Sequence, residues 1–182
     1  GDATGFIALN RGKKSITCDL GDPAQREALI ERIGTADIFV HNLRADVPGK
    51  FGFDGVTLTK RFPRLIYADL GAFGHVGPWK ERPGYEPIIQ AVAGLISLNG
   101  DPSGPEARIG VSIIDLSTGM WTAIGVLAAL AKRIATGQGS LVNTSLFESG
   151  LMWTSNHVAG WSVTGKMPPR QGTGHPSLTP YQ

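Results

Sequence analysis

The chain has 182 residues, 41% hydrophobic and 18% charged, with 17 basic against 15 acidic side chains and a net charge of +2. That composition describes a globular chain with ample material for a core, and it excludes a disordered segment and argues against a nucleic-acid or membrane surface. A single cysteine, Cys18, excludes an internal disulfide and a cysteine-based metal site.

No apolar run reads as long enough to cross a bilayer, and no signal peptide opens the chain. A cytoplasmic protein is therefore expected, with a mitochondrial or peroxisomal address possible for a eukaryotic chain. The ends, Gly1 and Thr179 to Gln182, read as cut from something longer.

In chain order, Ser15 to Leu20 reads as a short strand. Asp22 then offers a helix N-cap, Pro23 suits the first helical position and Gln25 completes a capping box. Ala28, Leu29, Ile30 and Ile33 lie in the helix that follows. Asp37 to His41 is a second strand, Val56 to Phe62 a short helix closed by Pro63, and Leu65 to Leu70 a third strand. This alternation predicts parallel βαβ units. Gly71 to Pro83 is loop, Tyr85 to Leu98 an apolar helix, and Asn99 to Glu106 loop again.

Val111 to Ile114 reads as a buried strand running into Asp115. Leu116, Met120, Ile124, Leu127 and Ala131 then recur on one face of a helix that Gly137 and Gly139 end. Ser140 to Leu146 is another strand, Phe147 to Trp161 another helix, and Thr164 to Gln182 a linker rich in proline and glycine. At a strand-to-helix junction Asp115 has two readings. It caps the helix, or it is a carboxylate nucleophile aimed by the helix N-terminus.

Several signatures fail. Gly71, Gly74 and Gly77 are not spaced as a dinucleotide fingerprint, and no phosphate-binding loop or serine nucleophile elbow occurs. His41, His75, His157 and His175 lack metal-ligand spacing, so no metal site is expected. Asn10 to Lys14 is the densest positive patch, read either as a solvated loop or as a phosphate contact. Asn42 to Arg44 directly follows a strand, where open α/β sheets collect ligands.

Taken in order, the blocks Asn10 to Ser15, Asn42 to Arg44 with Gly49 to Gly52, Gly71 to Gly74 with Gly77 and Pro78, Arg82 to Tyr85, Gly110 to Asp115 with Gly119, Thr136 to Gly139, and Gly174 to Pro176 with Pro180 and Tyr181 resemble the family III CoA-transferases, the CaiB/BaiF family. The resemblance covers nearly the whole chain. It implies a Rossmann-like parallel sheet with flanking helices, part of a larger two-domain fold that forms an interlocked homodimer. Residues 1–145 would belong to the large CoA-binding domain. Residues 146–182 would lead towards a small domain.

By position in those blocks, the resemblance implies Asp115 as the nucleophile. It implies CoA contacts at Arg11 and Lys13, at Cys18, Asp19, Leu20 and Gly21, at Asn42, Leu43 and Arg44, at Lys50, and at Pro83, Gly84, Tyr85 and Glu86. Lys50 stands where the family often has arginine, and His41 where glutamate is common. The implied reaction moves CoA from an acyl-CoA to a carboxylic acid through an aspartyl mixed anhydride and an aspartyl-CoA thioester. CoA is a substrate, and no tightly bound cofactor is expected. Two rivals remain: an α-methylacyl-CoA racemase of the same fold, and an inactive CoA-binding or dimerisation module. A racemase needs a second base, and no histidine lies between His75 and His157.

Overall fold

The computed structural model describes residues 4–175, 178 and 180. Three strands, β1 (Ile38–His41), β2 (Ile66–Gly71) and β3 (Ser140–Ser145), form a parallel sheet in that order. The helices are α1 (Thr4–Leu9), α2 (Pro23–Gly34), α3 (Asp46–Phe51), α4 (Gly55–Arg61), α5 (Glu86–Val92), α6 (Leu95–Leu98), α7 (Ile113–Thr136) and α8 (Leu146–Thr164).

Successive strand residues point to opposite faces, and that alternation divides the sheet's two coverings. Phe39, Tyr67 and Leu141 align across the strands. Tyr67 shares a core with Ile30, Ile33, Phe53, Leu58 and Leu65, with Phe39 packed beside it, so α2 and α4 cover this face. The alternate set faces α7. A Cβ on Gly125 would lie 2.6 Å from Val142 Cγ1, so glycine lets the helix settle closely on β3. Three residues earlier in the helix, the Thr122 hydroxyl meets that of Thr144 at 2.7 Å.

The second core joins Ile89, Ala93, Leu95 and Ile114, with Phe73, Ile109, Ile113, Leu146 and Phe147 around it. It locks the starts of α7 and α8 to α5 and α6. A Thr118 to Ser149 hydroxyl bond at 2.8 Å and a Trp153 indole bond to Ser117 Oγ at 3.1 Å tie α7 to α8.

The expected N-cap of α2 forms. Asp22 accepts from the Ala24 and Gln25 amides at 2.8 and 3.4 Å, and the Gln25 amide nitrogen returns a bond to Asp22 at 2.9 Å. Four expectations change. Residues 15–19 pair with no strand among the described residues. The helix expected over Tyr85 to Leu98 is two, because Gly94 turns left-handed at φ 83° between α5 and α6. The strand expected over Val111 to Ile114 is absent: Val111 is exposed and α7 begins at Ile113. The β-branched run fits a strand by composition, but burying Ile114 among the α5 and α6 residues needs a helix start.

The fourth change concerns α7. By length and composition this helix is long and apolar enough to cross a membrane, against the expectation above. One side of it packs onto the sheet and α8, and a third of its apolar stretch is buried. The side it packs inward carries Ile114, Ser117, Thr118, Thr122 and Ala129, while Leu116, Met120, Ile124 and Leu127 face outward. The packed side carries small and hydroxyl residues that bond across to β3 and α8, so apolar periodicity found the outward face and not the one packed here. Of the C-terminal segment, 176, 177, 179, 181 and 182 lie outside the described residues, including Pro176 and Tyr181 of the resemblance blocks.

Candidate active site

Asp115 is the third helical residue of α7, and Ser112, not Asp115, occupies the N-cap position. The Ser112 side chain makes no cap bond. The Ile113 amide donates to the Val111 carbonyl at 2.8 Å and the Leu116 amide to the Ser112 carbonyl at 3.0 Å, and the Asp115 carboxylate lies in this first turn, at the positive end of a 24-residue helix. Its neighbour Ile114 is fully buried and fixes the turn, while Asp115 itself is exposed.

Behind this turn lies a buried polar network. Glu86, at the start of α5, is 5% exposed. Gln90 donates to Glu86 Oε1 at 2.6 Å and to the Ile109 carbonyl at 3.2 Å, and its own oxygen accepts from the Ile109 amide at 2.9 Å. Arg108 lies 3.5 Å from Glu86 Oε2, which accepts no hydrogen bond. Partial burial, then the Glu86 charge, pushes the Asp115 carboxyl above its ordinary value. The helix end favours the anion, and these two effects oppose it. The result is a more basic carboxylate that remains open to an incoming ligand.

The fold brings Pro83 to Glu86 beside Asp115. A Cβ on Gly84 would sit 3.0 Å from Ala72 and 3.2 Å from Phe73 and Ile89, so a side chain there would press this loop away from the one leaving β2. Phe73, Trp79 and Phe147 stack around it, and Arg82 covers the Trp79 ring at 5.2 Å. Tyr85, at the N-cap of α5, is 75% exposed.

A second group forms at the start of α2. The Asp19 amide donates to Gln25 Oε1 at 3.0 Å, the Gly21 amide to Asp19 Oδ1 at 2.8 Å, and Arg26 to the Leu20 carbonyl at 2.9 Å. Arg26 and Lys50 both lie over the Phe51 ring, at 5.9 and 5.3 Å. Segment 18–21 and Lys50 are thus drawn together although 29 positions separate Gly21 from Lys50 in sequence. A cavity of about 210 Å³ opens here, with Cys18, Gln25 and Arg32 in its wall. A larger one of about 380 Å³ lies between α7 and β3, and its lining does not include Asp115.

Asn42 to Arg44 leave the end of β1, with Arg44 3.5 Å from Asp46. Arg11 and Lys13 are exposed on the turn after α1. Among the described residues, no hydrogen bond, ion pair or ring contact ties these two to the other candidate segments.

Sequence reasoning gave no role to a cluster at the ends of β1 and β2. His41 is buried against Tyr67 and Asp69, and His75 reaches Asp69 from the loop beyond. His41 closes one apolar run and Asp69 interrupts another, and only the register of the parallel strands makes them partners.

The class is a Rossmann-like parallel α/β domain whose candidate residues sit on loops beyond strand ends and at helix starts. The chain belongs to CoA-transferase family III, whose description matches residues 1–182. It is 38% identical over 177 residues to the acetyl-CoA:oxalate CoA-transferase of Acetobacter aceti, covering 97% of this chain and 46% of that one. It is 32% identical over 184 residues to the human succinyl-CoA:glutarate CoA-transferase, covering 100% and 41%. A crystal structure of a CaiB/BaiF family protein from Brucella suis superposes with a TM-score of 0.90 at 36% identity, covering 99% of this chain and 48% of that one. The chain spans under half the length of these relatives.

Proposed function

We propose that the whole protein carrying this chain transfers CoA from an acyl-CoA to a carboxylic acid, with Asp115 as nucleophile. The observation that carries this reading is an exposed, basicity-raised carboxylate in the first turn of α7, against the Pro83 to Glu86 loop. The named relatives act between CoA thioesters and small dicarboxylic acids such as oxalate and glutarate, which supports an acidic acceptor here.

In the proposed sequence, an Asp115 oxygen attacks the thioester carbonyl, and the C–S bond breaks to release CoA thiolate and leave a mixed anhydride. The thiolate then attacks the Asp115 carbonyl, freeing the donor acid and leaving an aspartyl-CoA thioester. The acceptor carboxylate attacks that thioester and expels the thiolate, which returns to the acceptor acyl carbon. Asp115 leaves as carboxylate. The positive end of α7 is suitably polarised to meet the negative charge that develops on each carbonyl oxygen. Exposed cations at Arg11, Lys13, Arg44 and Lys50 suit the phosphates of CoA, while Cys18 to Gly21, Asn42, Leu43 and Pro83 to Tyr85 supply backbone and apolar contacts. The anhydride must be kept from water. Asp115 is open in this chain, so we assign its cover to the rest of the protein or to a partner subunit of an interlocked homodimer. A CoA-binding domain over 1–145, a connection to a small domain over 146–182 and a cytoplasmic location belong to the same proposal.

The test is CoA exchange by the whole protein between a panel of acyl-CoAs and dicarboxylates, with mass spectrometry of the trapped enzyme. Asp115→Asn should lower exchange by roughly three orders of magnitude or more and abolish a CoA adduct on this residue. Retention of exchange by that variant would remove Asp115 as nucleophile. Solvent deuterium entering the α-carbon without an acceptor acid would favour the racemase.

A further inference from the structure

The cluster at the strand ends has a built geometry that the proposed chemistry does not use. His41 closes β1, with a side chain 5% exposed. Its Nδ1 accepts the backbone N–H of Leu43 at 3.2 Å. With Nδ1 accepting, the neutral ring carries its proton on Nε2, which donates to the Tyr67 hydroxyl oxygen. Asp69, the register partner on β2, lies 3.7 Å from the same Nδ1, and His75 lies 3.3 Å from the other Asp69 oxygen. Phe39 and Tyr67 flank the ring at 5.5 and 5.1 Å. The titratable groups around His41 are thus Asp69 and Tyr67 from β2 and His75 from the following loop. Asp54, at the N-cap of α4, acts on Tyr67.

We propose that His41 is a positioning residue for the Asn42 to Arg44 loop, gripping Leu43 through Nδ1 while the ring is neutral and releasing it when Nδ1 takes a proton. The proposal rests on that loop meeting CoA. A proton on Nδ1 turns an acceptor into a donor, so the Leu43 amide loses its partner and the new N–H faces Asp69. Burial holds the His41 ring below its ordinary value of 6.5, against the pull of Asp69. The grip is therefore complete above pH 6.5 and is lost as pH falls through the lower folded value. Burial also pushes the Asp69 carboxyl upward.

Two variants separate the acceptor from the titration. His41→Asn keeps a short acceptor able to take an N–H two residues on, and it does not titrate. His41→Phe keeps the ring's bulk and loses the acceptor. CoA affinity of the whole protein is read by calorimetry, and KM and kcat by exchange, across a pH series from 7.5 down to the acid limit of the fold. Wild type should show a KM for acyl-CoA that rises as pH falls through the folded value of His41, which lies below 6.5. His41→Phe should show a KM roughly fivefold higher at pH 7.5, the worth of one neutral hydrogen bond, with kcat little changed. His41→Asn should match wild type at pH 7.5 with a flattened pH profile. CoA titrates in the same range, but the ligand is common to all three proteins, so the difference between profiles isolates the ring. Leu43 amide exchange gives a reading free of CoA, and it should quicken in His41→Phe and in acidified wild type. A wild type that exchanges CoA while His41→Asn keeps the full pH dependence would overturn the positioning role. A wild type that neither binds nor exchanges CoA, with Leu43 exchange still following His41, would instead overturn the proposed function and with it the loop's link to CoA.

Discussion

At the scale of single residues, Asp115 is held in a state that folding makes less comfortable. Its folded pKa is raised, so the native chain holds the carboxyl proton more tightly than the unfolded chain does. The ionised form therefore carries a stability cost, absent below the unfolded value of 3.8 and growing as pH rises through the folded value. Asp115→Asn removes that cost, so its Tm should exceed the wild-type Tm by a margin that widens between pH 4 and pH 8. A margin independent of pH would place the effect elsewhere. Stability gained together with activity lost is the behaviour expected of a reactive group. Glu86→Gln should bring the Asp115 pKa down, read by carboxyl chemical shift, because it removes the nearer charge. Neither the Asp115–Glu86 relation nor the His41 cluster was legible in the sequence. The first needs two loops brought together by Ile89 and Ile114, and the second needs cross-strand register. What was legible was Asp115 as the one acid between two apolar runs.

At the scale of elements, local chemistry predicted well where it was strong. The Asp22, Pro23 and Gln25 start of α2 forms as read, and Asp22→Ala should lower the midpoint of a denaturant titration. The strands at 38–41, 66–71 and 140–145 were visible as short apolar or alternating runs, and the parallel sheet followed from their spacing. Prediction failed where composition fits two states. Val111, Ile113 and Ile114 are good strand residues, yet α7 starts inside that run because Ile114 is the buried hinge of the second core. Ile114→Ala should cost about 2–5 kcal/mol through the lost methyl groups and the cavity left. It should also lower kcat beyond what the folded fraction explains, since it loosens the turn bearing Asp115. A kcat that merely follows folded fraction would show that α7's start is held by other contacts. Residues 15–19 failed differently: an extended segment pairs with no strand here, and its bonds go to the start of α2 instead.

At the scale of the molecule, the unusual feature is where the apolar surface lies. Leu116, Met120, Ile124 and Leu127 form one outward stripe on α7, and Leu127 is 64% exposed. Such a contiguous stripe on a helix already packed on its other side is the mark of a surface covered by more protein. The relatives are more than twice as long as the matched region, which supplies the covering chain or subunit under the proposed function. Thiol chemistry can decide this. Leu127→Cys in a Cys18→Ser background adds one thiol in the middle of the stripe, and its rate is read as the difference from the same protein with Leu127 intact. In the whole native protein it should react with an aromatic disulfide reagent at least ~10-fold more slowly than a free thiol, because reaction must await an opening of the covering contact. Denaturant should restore the full rate, and dilution should restore it only if the cover is a second subunit. A thiol that reacts at the free rate in the native protein would mean that this stripe stays open to water, and the shielding that the anhydride requires would have to be found elsewhere.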